Sequence, residues 1–281
     1  MNIRFLVLVS FFCWCLFPGC GAQKNIGENP SLPEPLISRI LTQEEDIHLS
    51  LPVAHYKSTL FEDSMALDFA QGYPGSVVRY TTDGSQPGET SPVFAGRHYL
   101  TSETLIKAGA FHAALKKSPV VTLDFIQVPK MDDVKSITIV PEPNEKYKGQ
   151  GAKSLIDLNK GSLNFKEAAW MGFSDREIEI AIDFDQPRKA SKLMLSTMAD
   201  HGSWIFLPEE IEVSGGQKQF TANFKIPEKE EEKRLEYLVV SFDEIKTDHL
   251  QIRIRNLATL PAWHSGAGNA PWFFMDEIVI K

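Results

Sequence analysis

"RYTTDGSQPGETSPVF", Arg79–Phe94, closes a β-like run on an Asp-Gly pair and follows it with Ser, Pro, Gly and Thr. Gly accepts positive φ at no steric cost and Asp tolerates left-handed geometry, so Asp83-Gly84 signals a strand that turns back. A catalytic Asp83 needs a second carboxylate or a base within reach, in a pocket that shifts its pKa. The local sequence offers only Glu89, itself in a loop of turn formers. The turn reading outweighs the catalytic one.

Around this hairpin the pattern is that of short strands. Val78 and Tyr80 alternate with Val77 and Arg79, Ile106 and Ala108 with Lys107, and Val121, Leu123 and Phe125 with Thr122 and Asp124. Period-two alternation between turn residues marks a half-buried antiparallel sheet and predicts a small β-sandwich from about Leu51. The second half repeats the signal. "EIEIAIDF" puts Ile178, Ile180, Ile182 and Phe184 on one face, and "HLQIRIRNL" does the same with Leu250, Ile252 and Ile254. These strands predict a larger β-sandwich of jelly-roll type. The charge run "PEKEEEKRLE" from Pro227 reads as a solvated loop.

The chain has 281 residues, 43% of them hydrophobic, enough for one large or two modest cores. Its formal net charge of −8 and the lack of a clustered Lys/Arg surface exclude a phosphate-backbone binder, so nucleic acid is not an expected partner. The sequence contains no G-x-S-x-G elbow, P-loop or dinucleotide fingerprint. With two sandwiches filling the chain, a catalytic barrel of roughly 250 residues has no room.

Met1–Arg4 forms a short basic stretch and Phe5–Phe17 an apolar run of signal-peptide length, too short to span a bilayer. All three cysteines, Cys13, Cys15 and Cys20, lie here, leaving the rest of the chain without a thiol for disulfides. "LFPGC" resembles the lipobox of bacterial lipoproteins, which implies acylation of Cys20 and anchoring in a lipid bilayer. Ordinary secretion, with Cys20 merely a residue near the cleavage site, is the alternative. Residues 1–19 are then the signal peptide and 20–50 a Pro- and Asn-rich tether. The expected location is the bacterial outer membrane; whether the chain faces the periplasm or the cell surface stays open.

Two further resemblances follow. "VRYTTDGSQPGETSPVF" with "TLIKAGAFHAALKKSPVVTLDF" resembles the immunoglobulin-like domain at the C-terminus of chitobiases and β-hexosaminidases, over about residues 51–130. Gly88 stands where that pattern often has Thr. The resemblance implies an accessory sandwich without catalytic residues and a structural role for Asp83. "YKGQGAKSLIDLNKGSLNF", "AAWMGFSDREIEIAIDF" and "WHSGAGNAPWFFMDEIVIK", in that order, make residues 134–281 similar to F5/8 type C, or discoidin, galactose-binding-like domains. The expected fold is all-β: an Ig-like β-sandwich followed by a galactose-binding-like jelly-roll β-sandwich.

The second resemblance implies a structural Ca²⁺ held by Asp157, Asn159 and Ser162 and closed by Glu277 from the last strand. Oxygen donors of this kind suit a hard cation. Leu158 replaces the usual Gly of that loop, and a capped turn beside an edge-strand Glu is the alternative. A sugar site should combine an aromatic platform with hydrogen-bonding groups. His201, Trp204, Trp263, His264 and Asn269 stand in turn-rich context and are the candidates, with Arg255 weaker. Trp170, Phe173 and Trp272 are further candidates for such a platform, but they flank strands, where aromatics are more often core. His201 and His264 lack a spaced third ligand for zinc.

These readings lead to a non-catalytic, membrane-anchored envelope lipoprotein whose C-terminal sandwich binds a glycan or polysaccharide. A structural lipoprotein docking onto a protein partner of an envelope complex is the alternative, and a hydrolase with an unrecognised site a third.

Overall fold

The computed structural model describes residues 47–70 and 72–281. The expected signal peptide, Cys20 and the tether up to Asp46 lie outside the described residues. The rest is almost entirely β. The strands are β1 (Ala54–His55), β2 (Leu60–Phe61), β3 (Met65–Phe69), β4 (Val77–Thr81), β5 (His98–Leu100), β6 (Thr104–Phe111), β7 (Val121–Gln127), β8 (Val134–Val140), β9 (Met171–Phe173), β10 (Glu177–Ala199), β11 (Glu210–Gly215), β12 (Lys218–Asn223), β13 (Arg234–Arg255) and β14 (Phe273–Ile280).

In the first sandwich the sheet β1-β3-β5 faces the sheet β2-β7-β6-β4. Phe61, Met65, Leu67, Phe94, Ile106, Ala108, Leu123 and Phe125 fill the space between them. The apolar members of the alternating runs in β6 and β7 are the ones turned inward, as period-two side-chain direction requires. Among the described residues, pairing is present at Ile47, ahead of the expected Leu51: Lys116 N donates to Ile47 O and Leu49 N to Lys116 O, both at 3.0 Å.

Asp83 is a turn residue. Its Oδ1 accepts from Ser85 N at 3.0 Å and Ser85 Oγ at 2.6 Å, and these bonds hold its carboxyl below the usual range. Gly84 takes φ 81°, and Lys107 Nζ donates to its carbonyl at 2.7 Å. The chain then returns alongside β4, with Tyr80 N donating to Pro92 O and Phe94 N to Val78 O.

The second sandwich is one sheet folded on itself. Its backbone order is β12-β11-β13-β10-β14-β9, with β8 also paired to β10. The long strands β10 and β13 pair along their lengths, with register breaks between Asp183 and Arg188 and between Ala190 and Lys192. Such irregularities sharpen local twist and let a strand bend from one layer to the next. The first half of β10 therefore pairs with β8, and the second half, from Leu193, with β14. Ile178, Ile180, Ile182, Leu250, Ile252 and Ile254 are all fully buried in the core between the layers. Each contributes about 1.5–3 kcal/mol of burial.

The two sandwiches share a joint. Leu60, Ile126 and Val128 of the first pack with Met194 and Val279 of the second, with Leu158 and Tyr237 against them. An ion pair of Lys281 with Glu103 crosses beside it.

Candidate functional site

β10 ends at Ala199 and the chain reverses between Asp200 and Ile205. Asp200 O receives Ser203 N and Ile205 N, each at 3.0 Å, and His201 O receives Trp204 N at 2.9 Å. Closing so tight a turn drives Trp204 into the left-handed region, at φ 66° and ψ 20°. A non-glycine residue there costs on the order of 1–3 kcal/mol, and such outliers concentrate at functional sites. Trp204 is also 37% exposed, the only tryptophan classed as exposed among the described residues.

What holds this indole is the loop from Leu260 to Asn269. The loop closes on itself through Leu260 N to Asn269 O at 2.8 Å and Gly268 N to Leu260 O at 3.2 Å. A Cβ at Gly266 would lie 2.8 Å from Trp204 Cζ2 and 3.0 Å from Cε2. Only glycine lets the indole lie this close to the backbone. His264 meets the indole edge-on at 6.2 Å. One side of the ring is thereby braced while part of it stays open to solvent, beside exposed Ser265 and Asn269. Asn269 Nδ2 donates to Gly266 O at 2.9 Å, fixing that amide at the rim.

The two histidines are corrected from sugar contacts to supporting groups. His201 is 3% exposed and stacks on Phe206 at 4.4 Å, and its Nδ1 accepts from Glu231 N at 3.1 Å. Burial pushes its pKa down, which suits a neutral ring that accepts at Nδ1. His264 is 8% exposed. Its Nε2 meets His201 O at 2.8 Å and its Nδ1 accepts from Gly266 N at 3.0 Å. These bonds make it the Nε2–H tautomer, with both nitrogens engaged. Trp263 is half-buried; its Nε1 donates to Pro227 O at 2.8 Å and its ring packs near Phe206 and His201. Its Nε1 bond ties it to the charged loop that starts at Pro227. Arg255 pairs with Glu210 at 2.8 Å on the sheet, and Trp170 and Phe173 are core.

Of the second wall of this end of the sandwich, sequence reading named Trp272 and missed Tyr147, Phe165 and Lys233. Trp272 N donates to Trp204 O at 2.8 Å. The half-buried Trp272 ring meets Tyr147 edge-on at 5.4 Å, and Tyr147 meets Phe165 at 5.9 Å. The run from Pro227 is part of the wall as well. Lys233 pairs with Asp200 at 2.7 Å and lies 5.6 Å from the Phe165 ring. Although burial raises the Asp200 carboxyl, hydrogen bonds from Lys233 and Ser203 hold it below the usual range. The aromatic spacing from "WHSGAGNAPWFF" was the available signal; the charge run gave none.

The expected calcium ligands come together only in part. Asp157 and Glu277 are neighbours, and Asp157 Oδ1 accepts from Asn159 N at 2.8 Å in a local turn. Glu277 is fully buried, its oxygens receive no hydrogen bond from a protein donor, and burial with Asp276 and Asp157 nearby pushes its pKa up to about 9. Ser162 is turned elsewhere: its N and Oγ donate to Glu167 at 2.9 and 2.7 Å, and its carbonyl accepts from Trp170 Nε1 at 3.0 Å. Ser162 is thus engaged away from Asp157 and Glu277, and among the described residues no group of three or more His, Cys, Asp or Glu is placed to hold a metal ion. The residues present do not fit calcium.

Residues 58–122 match the chitobiase/beta-hexosaminidase C-terminal domain family. No curated protein matches the chain. Among solved structures, the chain is similar to a Ruminococcus gnavus GH29 fucosidase in complex with fucose, at 12% identity and TM-score 0.30, over 54% of this chain and 25% of that one. The CBM32-1 and CBM32-2 domains of Clostridium perfringens ZmpB, in complex with GalNAc, align at 9% identity and TM-score 0.34, over 54% of this chain and 34% of that one. The CBM32 of AlyQ, in complex with 4,5-unsaturated mannuronic acid, aligns at 12% identity and TM-score 0.31, over 53% of this chain and 95% of that one. The aligned part is thus about a quarter of the fucosidase and a third of the ZmpB fragment. At these TM-scores the likeness carries no argument about function.

Proposed function

We propose that the chain is a non-catalytic carbohydrate-binding protein that holds a glycan or polysaccharide on the exposed face of Trp204. The observation that carries this is an exposed tryptophan kept in a left-handed backbone conformation and braced by Gly266. An aromatic face offers apolar area to the C–H face of a sugar ring, and a pre-set platform avoids the ordering cost of binding. Asn269 and Ser265 stand at the rim for hydroxyls. The match of residues 58–122 to an accessory domain supports a role beside carbohydrate rather than in its cleavage. In this reading Cys20 is acylated and tethers both sandwiches to the outer membrane. Binding to a panel of polysaccharides, lost in Trp204→Ala with the fold intact, tests the proposal; equal binding by the variant would refute it.

A second reading, docking to an envelope protein, has its own observation. Ile47, Leu51, Val53, Tyr73, Val77 and Val93 line one groove of about 660 Å³ on the first sandwich, each more than a third exposed. Grouped apolar exposure of this kind marks contact surfaces. Co-purification of a partner that is lost in Val53→Glu/Tyr73→Glu, with glycan binding unchanged, would favour it.

A further inference from the structure

The loop Asp157–Ser162 does not fit calcium, yet it is tied to the last strand. Lys160 reaches back from this loop into the sandwich, its side chain 9% exposed, and its Nζ lies 3.0 and 3.3 Å from the two carboxylate oxygens of Asp276. Asp276 is itself 1% exposed and accepts from Gly161 N at 2.7 Å. Lys160 Nζ also donates to Ser196 Oγ. It lies 5.4 Å from the ring centroids of both Trp170 and Tyr237, so aromatic faces complete its surroundings. An ammonium with a carboxylate, a hydroxyl and two ring faces has what a buried cation needs.

We propose that the Lys160 ammonium is the resident cation of this loop, closing it onto β14 in the place a divalent metal would take. Three features agree with this assignment. Ser162, an expected ligand, is bonded to Glu167 and Trp170 Nε1 and is turned from the last strand. Asp276, beside the expected ligand Glu277, is the carboxyl that faces the Lys160 ammonium. Leu158 occupies a left-handed position, φ 62°, where the calcium-type pattern has glycine, and its side chain packs into the joint between the sandwiches. The loop thus serves as a hinge-pin: Lys160 fixes its inner end and Leu158 carries it against the apolar joint between the sandwiches. The joint is held without a metal.

The test uses the full chain with two metal probes. Melting in millimolar calcium and in EGTA should coincide. Titration with terbium should give no saturable luminescence sensitised by Trp170 or Tyr237, whose rings would lie beside the bound ion. Lys160→Met should lower Tm by roughly 10 °C, because removing one partner leaves the Asp276 carboxyl buried without its cation. If that variant does not fold, Glu277→Gln decides. It should melt at or above the wild-type temperature with calcium or EGTA, since the amide keeps the shape and removes a buried acid. Stabilisation of the wild type by calcium, stoichiometric terbium luminescence, a Lys160→Met variant that melts like the wild type, or a calcium-dependent loss in Glu277→Gln would each overturn the assignment.

Discussion

Replacing Trp204 by Ala removes the platform and leaves the rest of the rim in place. Its exposure of 37%, applied to a side chain of roughly 250 Å², leaves about 90 Å² for a sugar face to cover. At about 25 cal/mol per Å², that contact contributes about 2 kcal/mol. Trp204→Ala should therefore weaken binding roughly 40-fold. Isothermal titration against the best-binding polysaccharide measures the change, and a thermal melt must accompany it, because the same indole packs on Gly266. Trp204→Gly separates the two effects: it abolishes the platform equally while relieving the left-handed backbone. The two variants should lose affinity equally, with the Gly variant the more stable. Unchanged affinity in both folded variants would refute the platform.

Two more outcomes follow from the supports behind that surface. Gly266→Ala puts a methyl group 2.8 Å from the indole; Trp204 is exposed enough to swing aside, so glycan affinity should fall several-fold while Tm changes little, and titration beside melting checks it. His201 is held neutral by burial, so its folded pKa lies below the unfolded value of about 6.5. Acidification protonates the unfolded chain first, and stability is lost as pH falls through that value. The decline in Tm from about pH 7.5 to about pH 5.5 should be smaller in His201→Phe, which keeps the stacking on Phe206; equal slopes would contradict the supporting role.

The strands were legible because burial on one face of a sheet writes a period of two into the chain. Ile178, Ile180 and Ile182 show it without interruption, and Asp83-Gly84 marks its own turn by local chemistry. That both layers of the expected sandwich belong to one sheet, bent at register breaks within β10, was not legible, since no alternation announces those breaks. Trp204 was named from composition and context, and the structure leaves it exposed. His201 and His264 were named on the same grounds and proved internal. The bond that joins them spans 63 residues in sequence, and nothing local signals it. Lys160 is the extreme case. A lysine in a polar loop reads as solvated, and only the partner 116 residues away turns it into a buried ion pair. Leu158 likewise carries no sequence mark of its left-handed backbone or of its place in the apolar joint between the sandwiches.

The most direct test of carbohydrate binding is a glycan array probed with the full chain in detergent, its folding checked by a cooperative melt, with Trp204→Ala probed alongside. The wild type should bind a specific set of glycans that Trp204→Ala does not. A blank array from folded protein, or a set of glycans bound equally by Trp204→Ala, would contradict it.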